Sequence, residues 1–194
     1  ASTSIDPRAV AYWAVLVPPA LEELGKGLIL LPFMATRWFR SPVDGLLYGF
    51  AAGSGFAVVE NFVFFVSAYE VAGGSGWGVE VLMRLIPSVV IHGGATAVLG
   101  AYLGGVNWMR RWWSMGFVPF IGLTVSVALH GSWNLLIELN SLTGEQHYLS
   151  FAYLLLAVMT MGILGMLYLS LRLEATMFAD ELSAEVEAGT ISNN

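Results

Sequence analysis

The sequence contains no cysteine and few charges. Without cysteine there is no disulfide framework, no thiolate metal site and no cysteine nucleophile. Charged residues make up 11% of the 194 positions, against about 25% in soluble domains, so an ordinary solvated globule is excluded. Lysine and arginine together number 8 and form no basic, aromatic surface, so no nucleic-acid partner is expected. The formal charge of −6 does not imply an acidic body, because Glu174, Asp180, Glu181, Glu185 and Glu187 all fall in the last 21 residues.

Apolar residues dominate instead, at 57% of the chain and a mean hydropathy of +0.71. Cut at its polar punctuation, the sequence divides into five hydrophobic runs, 10–34, 44–69, 81–104, 115–138 and 149–171. At 1.5 Å per residue even the shortest reaches roughly 34 Å, enough to cross a hydrocarbon core of about 30 Å. The expected fold is all-α, a polytopic membrane protein with a bundle of about five transmembrane helices. Pro18 and Pro19 adjoin Glu22, Glu23 and Lys26, so the first helix is expected to be kinked or broken. A cleavable signal peptide there is disfavoured, since its apolar region would be shorter and uncharged. The sequence begins at Ala1 rather than Met, which leaves room for residues upstream.

Arg37, Arg40, Arg110, Arg111 and Arg172 flank alternate connections, whereas 70–80 and 139–148 carry neither lysine nor arginine. The positive-inside rule then places the C-terminus in the cytoplasm; the expected location is a bacterial or archaeal plasma membrane. Residues 1–173 form the expected transmembrane domain and 174–194 an acidic cytoplasmic tail. Trp38, Trp77, Trp108, Trp112 and Trp113 lie near the expected interfaces, where amphipathic rings are favoured.

Chemistry is expected where polar residues occupy hydrocarbon despite the cost. Glu22, Glu23, Lys26, Glu60, His92, His130 and Asn134 all lie inside spans, and a central charge costs roughly 2.5–3.5 kcal/mol even on lenient insertion scales. Counted from the outer span ends, Glu22, Glu60, His92 and His130 lie roughly 18, 14, 16 and 12 Å deep, in one layer. Gly122, Ser126, His130 and Asn134 share one helix face, and His92, Thr96, Gly100 and Gly104 share another. Gly45, Gly49 and Gly53 repeat every four residues and allow close helix approach. Bland roles exist for each: Lys26 can pair with either glutamate, His130 with Asn134, and Glu60 can bond across helices. Glu70, Glu80, Glu138, Glu145 and His147 read as solvated, Asp44 as a helix N-cap, and Arg84 as a snorkelling cation.

The ordered blocks Glu22-Glu23-x-x-Lys26, Tyr48-Gly-x-x-x-Gly53-x-Gly55-Phe56 leading to Glu60-Asn61, His92-x-x-x-Thr96 and His130-Gly-Ser-Trp133-Asn134 resemble the PrsW family of intramembrane proteases. They are similar, more distantly, to the clan of type II CAAX-prenyl endopeptidases. The resemblance spans roughly residues 18–135. CAAX relatives typically carry an arginine after a three-residue gap and an aromatic four residues before the first histidine. Here Lys26 follows a two-residue gap and Ser88 takes the latter place, which favours the PrsW side. The resemblance implies an intramembrane endopeptidase acting on a transmembrane or membrane-anchored protein in the bilayer, in some relatives an anti-sigma factor.

The residues agree with such chemistry. Ser126 has no lysine partner in a recognisable motif, so activated water is preferred over a hydroxyl nucleophile. Glu22 is the preferred base and Glu23 the partner of Lys26, with the reverse assignment open. His130 and Asn134 can face a developing oxyanion. Two schemes stay open: a zinc-dependent one in which Glu60, His92 and His130 hold Zn²⁺, and a metal-free one in which His92 orients the water. A proton-coupled transporter or channel using the same buried layer is the alternative function, and a noncatalytic module gripping a partner helix is a third.

Overall fold

The computed structural model describes residues 7–109 and 114–189, with side chains except at 7–12, 14, 108 and 114. Its described residues form four α-helices: α1 (Pro7–Met34), α2 (Pro42–Met109), α3 (Ser114–Thr143) and α4 (Gln146–Glu187). The all-α membrane architecture is as expected, but the helix count is four rather than five. The second and third hydrophobic runs lie within α2, a helix of 68 residues interrupted at Gly73, where φ is 64° and ψ is −158°. A residue with a side chain is strained at such a φ, whereas glycine adopts it freely.

The two halves of α2 fold back on each other. A Cβ placed on Gly45 would strike the backbone of Gly100, one on Gly49 the carbonyl of Thr96, and one on Gly53 the carbonyl of His92. The partners approach along the chain in antiparallel register, centred on the Gly73 break. Without a strong hydrophobic drive between helices in lipid, such backbone contact at small residues supplies the packing. The glycine repeat therefore brings His92 and Thr96 against Gly53 and Gly49.

Of the kink or break expected in the first helix, the break does not occur: α1 is one helix, with Pro18, Pro19 and Pro32 inside it. Each proline removes an N–H, but a transmembrane helix tolerates this where neighbouring helices shelter the freed carbonyls. Gly131 of α3 provides such an approach, since a Cβ there would lie 3.3 Å from the Val15 carbonyl oxygen. Helices α2, α3 and α4 are long and apolar enough to cross a membrane by length and composition; α1, with its buried charges, is not among them.

The turn before α2 carries a capping box. Ser41 precedes Pro42 at the first helical position, and Asp44 Oδ2 accepts bonds from the Ser41 and Arg40 amides at 3.0 and 2.9 Å while Ser41 Oγ accepts from the Asp44 amide at 3.2 Å. Ser41 is thus the N-cap and Asp44 its reciprocal partner, a correction to the N-cap role expected of Asp44. Asn107 Nδ2 donates to the carbonyls of Met34 and Phe39 at 2.9 and 2.7 Å, tying the far end of α2 to the end of α1 and the loop after it. Leu30, Phe39, Leu99 and Leu103 form one buried cluster there.

Trp38 and Trp77 are exposed at the α1–α2 connection and near the Gly73 break. Arg110, Arg111, Trp112 and Trp113 lie outside the described residues, as does the Trp108 side chain. Helix α4 touches α2 and α3, buries little beyond Ala152 and Met159, and continues without a break through residue 174 to Glu187.

Candidate active site

The buried polar residues of α1, both halves of α2, and α3 converge. Glu23 and Lys26 are 0% and 1% exposed, and His92 and His130 are 4% and 2% exposed. Such groups must be paired and hydrogen-bonded to persist away from water.

Glu23 is fully engaged. Its Oε1 accepts from Lys26 Nζ at 2.7 Å and meets His130 Nδ1 at 3.1 Å. Its Oε2 accepts from Thr96 Oγ1 at 2.9 Å and Ser126 Oγ at 2.7 Å. Four donors fill the four acceptor directions of a carboxylate. Since the carboxylate can only accept, His130 carries a proton at Nδ1 and donates it to Glu23.

The tautomer of His92 follows by the same reasoning. Lys26 Nζ lies 2.9 Å from His92 Nδ1 and, having no lone pair as an ammonium, donates to it. His92 Nε2 then carries the proton and donates to Glu60 Oε2 at 3.0 Å. Each imidazole is thereby braced by a carboxylate on one nitrogen, His130 by Glu23 and His92 by Glu60. The two rings meet edge to face with centroids 4.5 Å apart.

Glu22 differs from its neighbour. Its Oε2 is buried with no hydrogen-bond partner and lies 3.8 Å from both His92 Nδ1 and His130 Nε2, and 3.7 Å from Lys26 Nζ. Consecutive helical residues point about 100° apart, so one glutamate enters the brace while the other faces the imidazoles. Among the described residues, Glu22, His92 and His130 are the one group of carboxylate and imidazole ligand atoms that converge within 4.8 Å of one another.

Glu60 therefore stands behind His92, not with the converging atoms. Its Oε2 also accepts from Arg84 Nη2 at 2.8 Å. Arg84 is held further by Asn61 Oδ1 at 3.4 Å and Glu80 at 3.6 Å, and its guanidinium lies 3.5 Å from the centre of the Phe64 ring. This network goes beyond the snorkelling role expected of Arg84. Asn134 lines a partly open cavity of about 230 Å³ together with Glu60, Arg84, Ser88, His92 and Glu138.

The seven polar residues singled out in the sequence thus meet around this layer, six through direct contacts and Asn134 through the cavity. Thr96 and Ser126 were legible only as polar members of helix faces. Their donation to Glu23 depends on how the helices are rotated against one another, as does the Lys26–His92 bond.

A family model described as PrsW family intramembrane metalloprotease matches residues 2–175. No curated protein and no solved structure matches the chain.

Proposed function

Because the chain belongs to the PrsW family of intramembrane metalloproteases, we propose that it hydrolyses a peptide bond of a transmembrane or membrane-anchored protein with water activated at Glu22. The observation that carries this reading is the division between adjacent glutamates. Glu23 has both oxygens saturated, whereas Glu22 turns an unpartnered oxygen toward two imidazoles. A general base needs a free lone pair within reach of water, and only Glu22 offers one at the centre of the cluster.

The donor set also fits a metal ion. Two imidazoles and a carboxylate match a His₂Glu catalytic zinc set, the orphaned Glu22 Oε2 faces the histidines, and each histidine has the carboxylate brace typical of metal-ligating imidazoles. Glu22, His92 and His130 would hold the ion once Lys26 withdrew its bond from His92 Nδ1 and kept its bond to Glu23. Zn²⁺ bound there would supply Lewis acidity toward water and the scissile carbonyl. In this arrangement Glu60 orients His92 in place of serving as a ligand.

The protein groups divide the remaining work. Glu22 takes the proton of the attacking water and returns it to the leaving amine; lending Oε2 to an ion would leave its other oxygen for that proton. With Nδ1 committed to Glu23, a neutral, metal-competent His130 would present a lone pair and no N–H at Nε2. The developing oxyanion is therefore assigned to the Asn134 amide, a neutral donor lining the cavity. An anti-sigma factor anchored by one transmembrane helix is the substrate class implied by resemblance, and the C-terminus is assigned to the cytoplasm from the arginine asymmetry.

Purified protein in liposomes, assayed for metal content and for cleavage of single-span substrates, tests the proposal. About one zinc per chain is expected, with cleavage lost on chelation and restored by zinc. Full cleavage by metal-depleted protein would remove the ion and keep the Glu22 mechanism. Undiminished cleavage by Glu22→Gln would remove that mechanism.

A further inference from the structure

We propose that the cavity beside the catalytic cluster is a specificity subsite for a lysine or arginine side chain of the substrate, with Glu138 receiving its cationic head. This rests on the protease reading above and adds a substrate class to it. His130, Asn134 and Glu138 follow at four-residue spacing on α3, so Glu138 lies about 6 Å along the axis beyond Asn134 and about 12 Å beyond His130. A substrate side chain entering from the reaction centre would run along this face.

The charges in and beside the cavity do not balance. Glu60 is held by Arg84 and His92, and Arg84 is held in turn by Glu80 and Asn61. Glu138 lines the same cavity with no hydrogen bond or ion pair to the described residues. Two carboxylates, Glu60 and Glu80, thus hold one guanidinium, while a third, Glu138, lines the cavity without a cation of its own. Ser88, 6% exposed, adds a buried hydroxyl with no partner.

Between these polar groups the walls are apolar, formed by Phe64, Met83, Trp133 and Ile137. An apolar passage leading to a carboxylate suits a side chain with a hydrocarbon stem and a charged tip. A wholly apolar side chain would bury Glu138 and Ser88 without partners, and an acidic one would add repulsion. The volume of about 230 Å³ lies below the roughly 300 Å³ at which small-molecule pockets begin, so it suits one side chain rather than a length of peptide.

The test uses the full chain in liposomes and a panel of single-span peptides differing only in a Lys, Arg, Met or Glu placed at successive positions near one bilayer interface. Cleavage sites are mapped by mass spectrometry. Binding is measured separately with fluorescent forms of the same peptides on the Glu22→Gln variant. Lys and Arg peptides should bind at least about tenfold better than Met peptides, within a narrow window of positions. Adding Glu138→Gln should abolish the preference, and adding Glu138→Lys should transfer it to Glu peptides. Equal binding of Lys, Met and Glu peptides, or a preference that survives Glu138→Gln, overturns the subsite, and the Gln variant decides if the Lys variant does not fold. A Glu138-dependent preference in binding, with no cleavage by the unaltered chain, would leave the subsite standing and overturn the catalytic reading instead.

Discussion

Replacing the two adjacent glutamates separates a base from a brace. Glu23→Ala removes the acceptor of Lys26, Thr96, Ser126 and His130 at once. The ammonium of Lys26, 1% exposed, then keeps its bond to His92, a distant Glu22 oxygen at 3.7 Å and the face of the Phe56 ring at 4.2 Å, and no bonded carboxylate. Removing one member of a buried ion pair costs about 3–5 kcal/mol. The orphaned hydroxyls and imidazole push the same way, although their costs do not simply add. Against a total stability of about 5–15 kcal/mol, this is a large fraction. Glu22→Gln breaks no hydrogen bond to Oε2, so its effect on stability should stay below about 1 kcal/mol. Its cleavage rate should nonetheless fall by about 10²–10⁴.

Unfolding in mixed micelles, followed by fluorescence of the seven tryptophans, reads the first quantity, and cleavage in liposomes reads the second. Adding Lys26→Met to Glu23→Ala should recover much of the lost stability, because the uncompensated charge is then gone. A stable Glu23→Ala variant together with an unfolded Glu22→Gln variant would reverse the assignment. Equal losses of stability in both would refute the division of roles.

Gly53→Leu should disrupt the α2 hairpin, since any Cβ there meets the His92 carbonyl, whereas Gly55→Ala, with open space around it, should fold normally; helical hydrogen-exchange protection distinguishes them. Asp44→Ala should cost about 1 kcal/mol by opening the capping box, measured as a shift in the same unfolding curves.

Several features of the site were legible because helical spacing is fixed. Glu22 and Lys26 are one turn apart, as are His92 and Thr96, and Ser126, His130 and Asn134 repeat at the same interval. Gly45, Gly49 and Gly53 announced a close crossing, and the backbone of Thr96 and His92 lies against two of them. Arg84 and Glu138 both stand near span ends, where charged side chains usually find water. Here they line a cavity that exists only after α2 has folded back against itself and α3 has packed across it.

Composition and hydrophobic run length alone determined that the chain is helical and membrane-embedded, because hydrocarbon requires each segment to satisfy its own backbone hydrogen bonds. The ordered polar blocks determined the family. Only the tertiary structure decided that the second and third runs share one helix broken at Gly73, that α1 stays continuous through its prolines, and that Glu60 backs His92 while Glu22 faces both histidines. These outcomes depend on helix rotation and on which lone pair meets which N–H. Those are relations between residues 32 to 108 positions apart, which no local periodicity encodes.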